Sequence, residues 1–113
     1  MSPITTHVLD TSRGAPAVGV VIRLERREPG GGYVPVGAGL TDMDGRVKTL
    51  LAEGALVAGV YRITFDTGAY FEALGVASFY PEASVVFDVE RADEHYHVPL
   101  LLNPFGYSTY RGS

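Results

Sequence analysis

The sequence predicts an all-β sandwich or barrel, and three observations carry the prediction. Short runs of alternating hydrophobicity recur along the chain. Most of the 14 glycines and 7 prolines fall between those runs. Only one short stretch has helical spacing. At 113 residues the chain is the size of one domain, expected to span residues 1–113. Such a chain hides about two thirds of its unfolded surface on folding, enough for a single core.

The elements follow in order. HVLD opens the first strand, with His7 and Leu9 on one side. In GVVIRLERRE, Val20, Ile22 and Leu24 share one face while Arg23, Glu25 and Arg27 share the other, a strand with a dry and a wet side. GGG at residues 30–32 reads as a hairpin loop, because glycine accepts the positive φ of tight turns. As a phosphate cradle it lacks the helix start that should follow. YVPVGAGL then puts Val34, Val36, Ala38 and Leu40 on one face. TDMDGR is a tight turn built on Asp44 and Gly45, and it delivers Arg46 to the short strand RVKTLL. VYRITFDT aligns Tyr61, Ile63 and Phe65.

GAYFEALGV breaks the rhythm. Tyr70, Phe71 and Leu74 have helical offsets, Asp66 or Thr67 offers a cap, and Gly75 offers a stop. VVFDVER returns to alternation with Val85, Phe87 and Val89. In HYHVPLLL, Tyr96, Val98, Leu100 and Leu102 form a core face, whereas His95, His97, Pro99 and Leu101 form a face that is half apolar. After the NPFG turn, YSTYRGS carries Tyr107 and Tyr110 on opposite faces. A terminal strand that is partly apolar on both sides points to an interface with another subunit.

Composition excludes several function classes. No apolar run approaches the roughly 20 residues that span a bilayer. The start MSPITTHVLD has no basic segment leading into a long apolar stretch, so a cytoplasmic location is the expectation. The absence of cysteine removes disulfides, thiolate catalysis and cysteine-based zinc sites. A formal charge of -4, with Glu25 and Glu28 interrupting the basic residues of RLERRE, argues against nucleic acid.

Chemistry then falls to few groups. The three histidines are at 7, 95 and 97, and imidazole is the side chain suited to proton transfer near neutral pH. His95 and His97 share a strand face, His7 comes from the other end of the chain, and Arg46 is held by a turn. A zinc site built on HxH with His7 lacks nearby acidic groups to orient the ligands. TDMDG lacks the later glutamate of a calcium loop. No metal or other cofactor is expected.

HVLDTSRGAPA, TDMDGR, YRITFDTGAYF and HYHVPLLLNPFGYSTYRGS occur in this order over nearly the whole chain, and together they resemble the 5-hydroxyisourate hydrolases, transthyretin-related proteins of urate breakdown. The terminal YRGS is the most diagnostic element. Asn103 departs from the serine more usual before the turn proline. The resemblance implies a transthyretin-like (prealbumin-like) sandwich of two four-stranded sheets with one short α-helix. It also implies a homotetramer, a dimer of dimers, with active sites in a central channel.

By the same resemblance, His7, Arg46 and His97 are functional positions, as are Tyr110, Arg111, Gly112 and Ser113. Hydrolysis of a small purine-derived ring needs an activated water, a polarised carbonyl and a proton for the leaving nitrogen. His7 or His97 would take the proton of water, and Arg46 would stabilise developing charge. Ser113, by its hydroxyl and a terminal carboxylate, would hold substrate or water. Tyr110 would narrow the channel, and Leu101 would line it. His95 lies beside the motif and is not assigned a role. The rival readings are a carrier of a small hydrophobic ligand and a structural sandwich module.

Overall fold

The structure is a computed structural model and describes residues 2–113. Its elements are β1 (Ile4–Asp10), β2 (Ala15–Pro16), β3 (Val21–Arg27), β4 (Tyr33–Leu40), β5 (Arg46–Val47), β6 (Gly59–Phe65), α1 (Thr67–Ala73), β7 (Ala83–Val89), β8 (Tyr96–Asn103) and β9 (Gly106–Thr109). They form the expected two facing sheets with one short helix. One sheet has the order β4-β3-β6-β7 and the other β2-β1-β8-β9, with β5 also on β1. Because β8 fills one edge of β1, the two-residue strands β2 and β5 share the other. β5 pairs at Thr6 and His7, and β2 at Leu9 and Asp10, so that five-stranded sheet is at most four strands wide at any level. β1 and β8 are parallel.

The core lies between the sheets. Val8, Ile22, Leu24, Ile63, Phe65 and Leu100 are fully buried there, and burying side chains of this kind contributes about 1.5–3 kcal/mol each. All come from the inward faces that alternation assigns.

β4 departs from its expected pattern. Leu24 pairs with Gly37 but Glu25 pairs with Pro35, so Val36 is an extra residue in a bulge. The bulge reverses the facing. Val36 packs on the core, whereas Ala38 and Leu40 are exposed, Leu40 at 59%. The inward positions after the bulge are Gly37 and Gly39, where a Cβ would overlap the Leu50 carbonyl and the Val47 side chain respectively. β5 and the following loop therefore press directly on the β4 backbone. The strand expected over RVKTLL is only Arg46–Val47.

Helix α1 starts after Asp66, but the Asp66 side chain makes no capping bond, and the Thr67 hydroxyl donates to the Tyr80 carbonyl at 3.3 Å. Gly75, at φ 70°, ends the helix as expected. Tyr70 and Phe71 are buried and Leu74 is 44% exposed. The Tyr70 hydroxyl donates to the fully buried Asp10 carboxylate at 2.8 Å, and that carboxylate also accepts from the Ser12 amide at 3.0 Å. This network ties the helix to the inner side of β1, whose outer side carries the site.

Candidate active site

The outer face of the β1–β8 sheet collects the polar side chains that the core cannot accept. Alternation puts Thr5, His7 and Leu9 of β1 there, all partly buried, while Ile4, Thr6, Val8 and Asp10 point inward. Parallel pairing sets Thr5 opposite His97 and His7 opposite Pro99. On the other edge of β1, His7 stands opposite Arg46. Directly opposed side chains on one face lie roughly 4.5–5.5 Å apart at Cβ. Two strand registers thus gather His7, Arg46 and His97 from positions up to ninety residues apart.

Arg46 is placed by the turn before it. Asp42 Oδ1 accepts the amides of Asp44 at 2.9 Å and Arg46 at 3.0 Å, and the Asp42 amide donates to the Arg46 carbonyl at 2.9 Å. Gly45 has φ 75°, and its carbonyl accepts the Val8 amide at 2.8 Å, fastening the turn to β1.

A cleft of about 410 Å³ opens over this face. Its walls include Thr5, Arg46, Lys48, His95, His97 and Ser113. His7 adjoins it beside Arg46 without being part of its wall. Burial pushes the His97 pKa below the ordinary 6.5. The Arg46 guanidinium, His95 and His7 lower it further, in that order. His97 is therefore a neutral imidazole at pH 7, able to accept a proton.

The tail is held against His97. The Gly112 amide donates to the His97 carbonyl at 2.8 Å, which brings Ser113 into the cleft. Arg111 lies outside the cleft. Its guanidinium pairs with Glu94 at 3.0 Å and sits 4.5 Å from the centre of the Tyr96 ring, so it anchors the tail. Tyr110, 58% exposed, lines a separate hollow of about 340 Å³ with Val85, Phe87 and Val98. Leu101 is half-buried beside Leu9 and Ser108, also away from the cleft. Within one protomer, then, Arg46, His97 and Ser113 share the cleft, His7 borders it, and Tyr110, Arg111 and Leu101 do not enter it.

Sequence reasoning passed over Thr5 and Lys48 and left His95 without a role. Each lies two residues from an assigned position, so period-two alternation alone puts them on the same face. Among the described residues, no three His, Cys, Asp or Glu side chains gather closely enough to hold a metal ion. Asn103, the departure from the usual serine, accepts the Phe105 amide at 2.9 Å and stabilises the β8–β9 turn.

Arg46, Lys48 and the imidazoles of His95 and His97, with His7 at the border, make the cleft a place for an oxygen-rich or anionic ligand. Its neutral base beside a planar donor fork suits attack of water on a carbonyl. Comparison with known proteins points the same way. The profile of the HIUase/Transthyretin family matches residues 4–112. A 5-hydroxyisourate hydrolase of Halalkalibacterium halodurans is 50% identical over 115 residues, covering 97% of this chain and 97% of the relative. The mouse 5-hydroxyisourate hydrolase is 45% identical over 113 residues, covering 99% and 96%. Sea bream transthyretin, solved in complex with thyroxine, superposes with a TM-score of 0.92 at 37% identity, covering 97% and 94%.

Proposed function

The chain belongs to the HIUase/Transthyretin family, and on that premise we propose that it hydrolyses 5-hydroxyisourate to 2-oxo-4-hydroxy-4-carboxy-5-ureidoimidazoline in urate degradation. The observation that carries the proposal is that His97, its pKa lowered by burial and by Arg46, shares a cleft with Arg46. Near-full-length identity to named hydrolases supports the choice of substrate.

In this mechanism His97 takes a proton from water, which attacks the ring carbonyl beside the scissile N–C bond. Arg46 pairs with the carbonyl oxygen as charge develops there, a kind of stabilisation worth roughly 10²–10³-fold per donor. His7, opposite Arg46, orients the water or returns a proton to the leaving nitrogen. Ser113 contacts substrate through its hydroxyl. Tyr110, Arg111, Gly112 and Leu101 act on binding through the assembled protein.

A homotetramer, a dimer of dimers, is part of the proposal. It is supported by the half-buried Leu9, Leu101 and His97 on the outer face and by the family fold. Sedimentation tests it. A cytoplasmic site of action completes the proposal. Among the described residues no helix is long and apolar enough to cross a membrane, and cell fractionation tests the compartment.

The deciding experiment follows the ultraviolet decay of freshly generated 5-hydroxyisourate against its spontaneous rate. His97→Asn and His7→Asn should each lower turnover by about 10²-fold or more with the assembly intact. Decay at the spontaneous rate with the unaltered protein would end the reading. Thyroxine binding by such an inactive protein would favour a carrier, as the likeness to sea bream transthyretin suggests.

A further inference from the structure

One group in the cleft is shared in a way the mechanism above does not use. Thr5 Oγ1 lies 2.8 Å from Nδ1 of His97 and 3.0 Å from Nε2 of His95. The two rings are nearly parallel, inclined at 17° with centres 6.4 Å apart. The arrangement follows from the fold, since Thr5 pairs with His97 in register and His95 lies two residues before His97 on β8's approach. The inward-facing Thr6 instead donates to the Val98 carbonyl at 2.6 Å. Among the described residues, Thr5 alone presents its hydroxyl to two imidazoles.

A hydroxyl has one proton to donate and can accept from others. Thr5 can therefore donate to only one ring, and at least one ring must donate to Thr5. If His97 donates from Nδ1, its Nε2 is left bare and basic, and Thr5 donates onward to Nε2 of His95. The protonation states of the two histidines are thus coupled through a single oxygen. His97 is half-buried near Arg46, whereas His95 is exposed. A positive charge is better tolerated at the exposed ring.

We infer that Thr5 is a positioning residue that fixes His97 with its proton on Nδ1, and that Thr5 and His95 carry that proton outward as His97 acts. This rests on the hydrolase reading. As Nε2 of His97 takes a proton from water, Nδ1 gives its own to Thr5 Oγ1. The Thr5 hydroxyl proton passes to Nε2 of His95, leaving hydroxide on the substrate carbonyl and imidazolium at His95. His97 ends neutral, with its proton on Nε2 ready for the leaving nitrogen. When that proton passes to the nitrogen, directly or by way of His7, Thr5 returns a proton to Nδ1 and His95 returns one to Thr5, which restores the starting state. No charge has to rest beside Arg46.

Two measurements on the intact protein test this. The first is the ¹⁵N spectrum of the histidine rings without substrate. His97 should be protonated at Nδ1 in the unaltered protein and lose that preference in Thr5→Val, which keeps the shape and removes the hydroxyl. The second is turnover of fresh 5-hydroxyisourate. Thr5→Val and His95→Ala should each lower kcat roughly tenfold or more with KM within about twofold. Thr5→Ser should recover most of the loss, and the double variant should be little worse than the weaker single one.

An unchanged ¹⁵N pattern in Thr5→Val, or unaltered kcat in that variant, overturns the inference and leaves the hydrolase reading standing. An unaltered protein that does not hydrolyse the substrate ends the hydrolase reading. The ring spectra then decide the coupling by themselves.

Discussion

Gly112 packs closely against the ring of His97. A Cβ at position 112 would overlap His97 Cδ2 and come within 3.1 Å of Pro99 Cγ. The need for glycine here is one of space, imposed by a tail packed against the proposed base.

Gly112→Ala should therefore either turn the His97 ring or lift residues 112 and 113 from the cleft. The tail is at the surface, so stability should stay within about 0.5 kcal/mol of the unaltered protein. Turnover should fall by roughly 10- to 100-fold, because small displacements of reacting groups are costly. Thermal melting and the 5-hydroxyisourate assay read the two effects separately. Normal turnover would show that the tail does not fix His97.

The pH dependence follows from the environment of His97. Burial, Arg46, His95 and His7 all disfavour its protonated form, and together they outweigh the hydrogen bond to Thr5 that favours it. The neutral base should persist to more acid pH than an ordinary histidine. The acid limb of kcat/KM should therefore fall through a midpoint below 6.5 as pH drops. Arg46→Gln removes one cause, so its residual activity should have a limb displaced toward higher pH. Proton NMR titration of His97 in both proteins checks the direction. A midpoint at or above 6.5 in the unaltered protein would contradict the assignment.

Tyr70→Phe tests the support beneath β1. It leaves the fully buried Asp10 carboxylate without one of its donors, at a cost of about 1–3 kcal/mol. Denaturant midpoints at one fixed protein concentration measure it. Turnover of the folded variant should change little, since Asp10 and Tyr70 lie on the inner side of the sheet. A midpoint equal to that of the unaltered protein would show the contact to be dispensable.

The limits of sequence reading are clearest in β4. Alternation placed the inward residues of β3, β6 and β8 correctly because their large apolar side chains recur with a period of two against the core. It failed after Val36 because a bulge adds one residue and exchanges the faces, and no local property of PVGAG announces that. The glycines of that strand are inward because β5 and Leu50 occupy the space side chains would fill. This long-range contact is invisible to periodicity. The site shows the same division. His7, Arg46 and His97 could be proposed from residue type and resemblance. Alternation could put Thr5 on that face, but its contact with His97 becomes visible only when the parallel β1–β8 register sets the two opposite.

Gly39→Ala would add a methyl group where the Val47 side chain sits. Overpacking of this kind costs about 1–3 kcal/mol. Because Val47 follows Arg46 in β5, the same displacement should lower turnover. Melting temperature and kcat/KM should therefore fall together. Loss of stability with unaltered kinetics would mean that β5 moves without carrying Arg46.

Asp42 offers the most direct control over the Arg46 guanidinium without altering Arg46 itself. Its carboxylate accepts the Arg46 amide, and that bond is the largest cause holding its pKa below the ordinary 3.8, with the Asp44 amide and the charges of Lys48 and Arg46 acting in the same sense. Asp42 is consequently ionised throughout the range in which His97 works, so the turn itself adds no titration to the activity profile. Asp42→Ala removes the acceptor for both amides and frees the backbone that aims the guanidinium. Turnover should fall by roughly 10- to 100-fold, the scale of a misplaced catalytic group. The acid limb should keep its midpoint near that of the unaltered protein, since the cation remains in the cleft. Asp42→Asn retains a side-chain oxygen able to accept the same amides and should restore most of the activity. If the asparagine variant is as impaired as the alanine variant, the negative charge of Asp42 matters more than its hydrogen bonds, and the turn orients Arg46 by electrostatics instead of by backbone geometry.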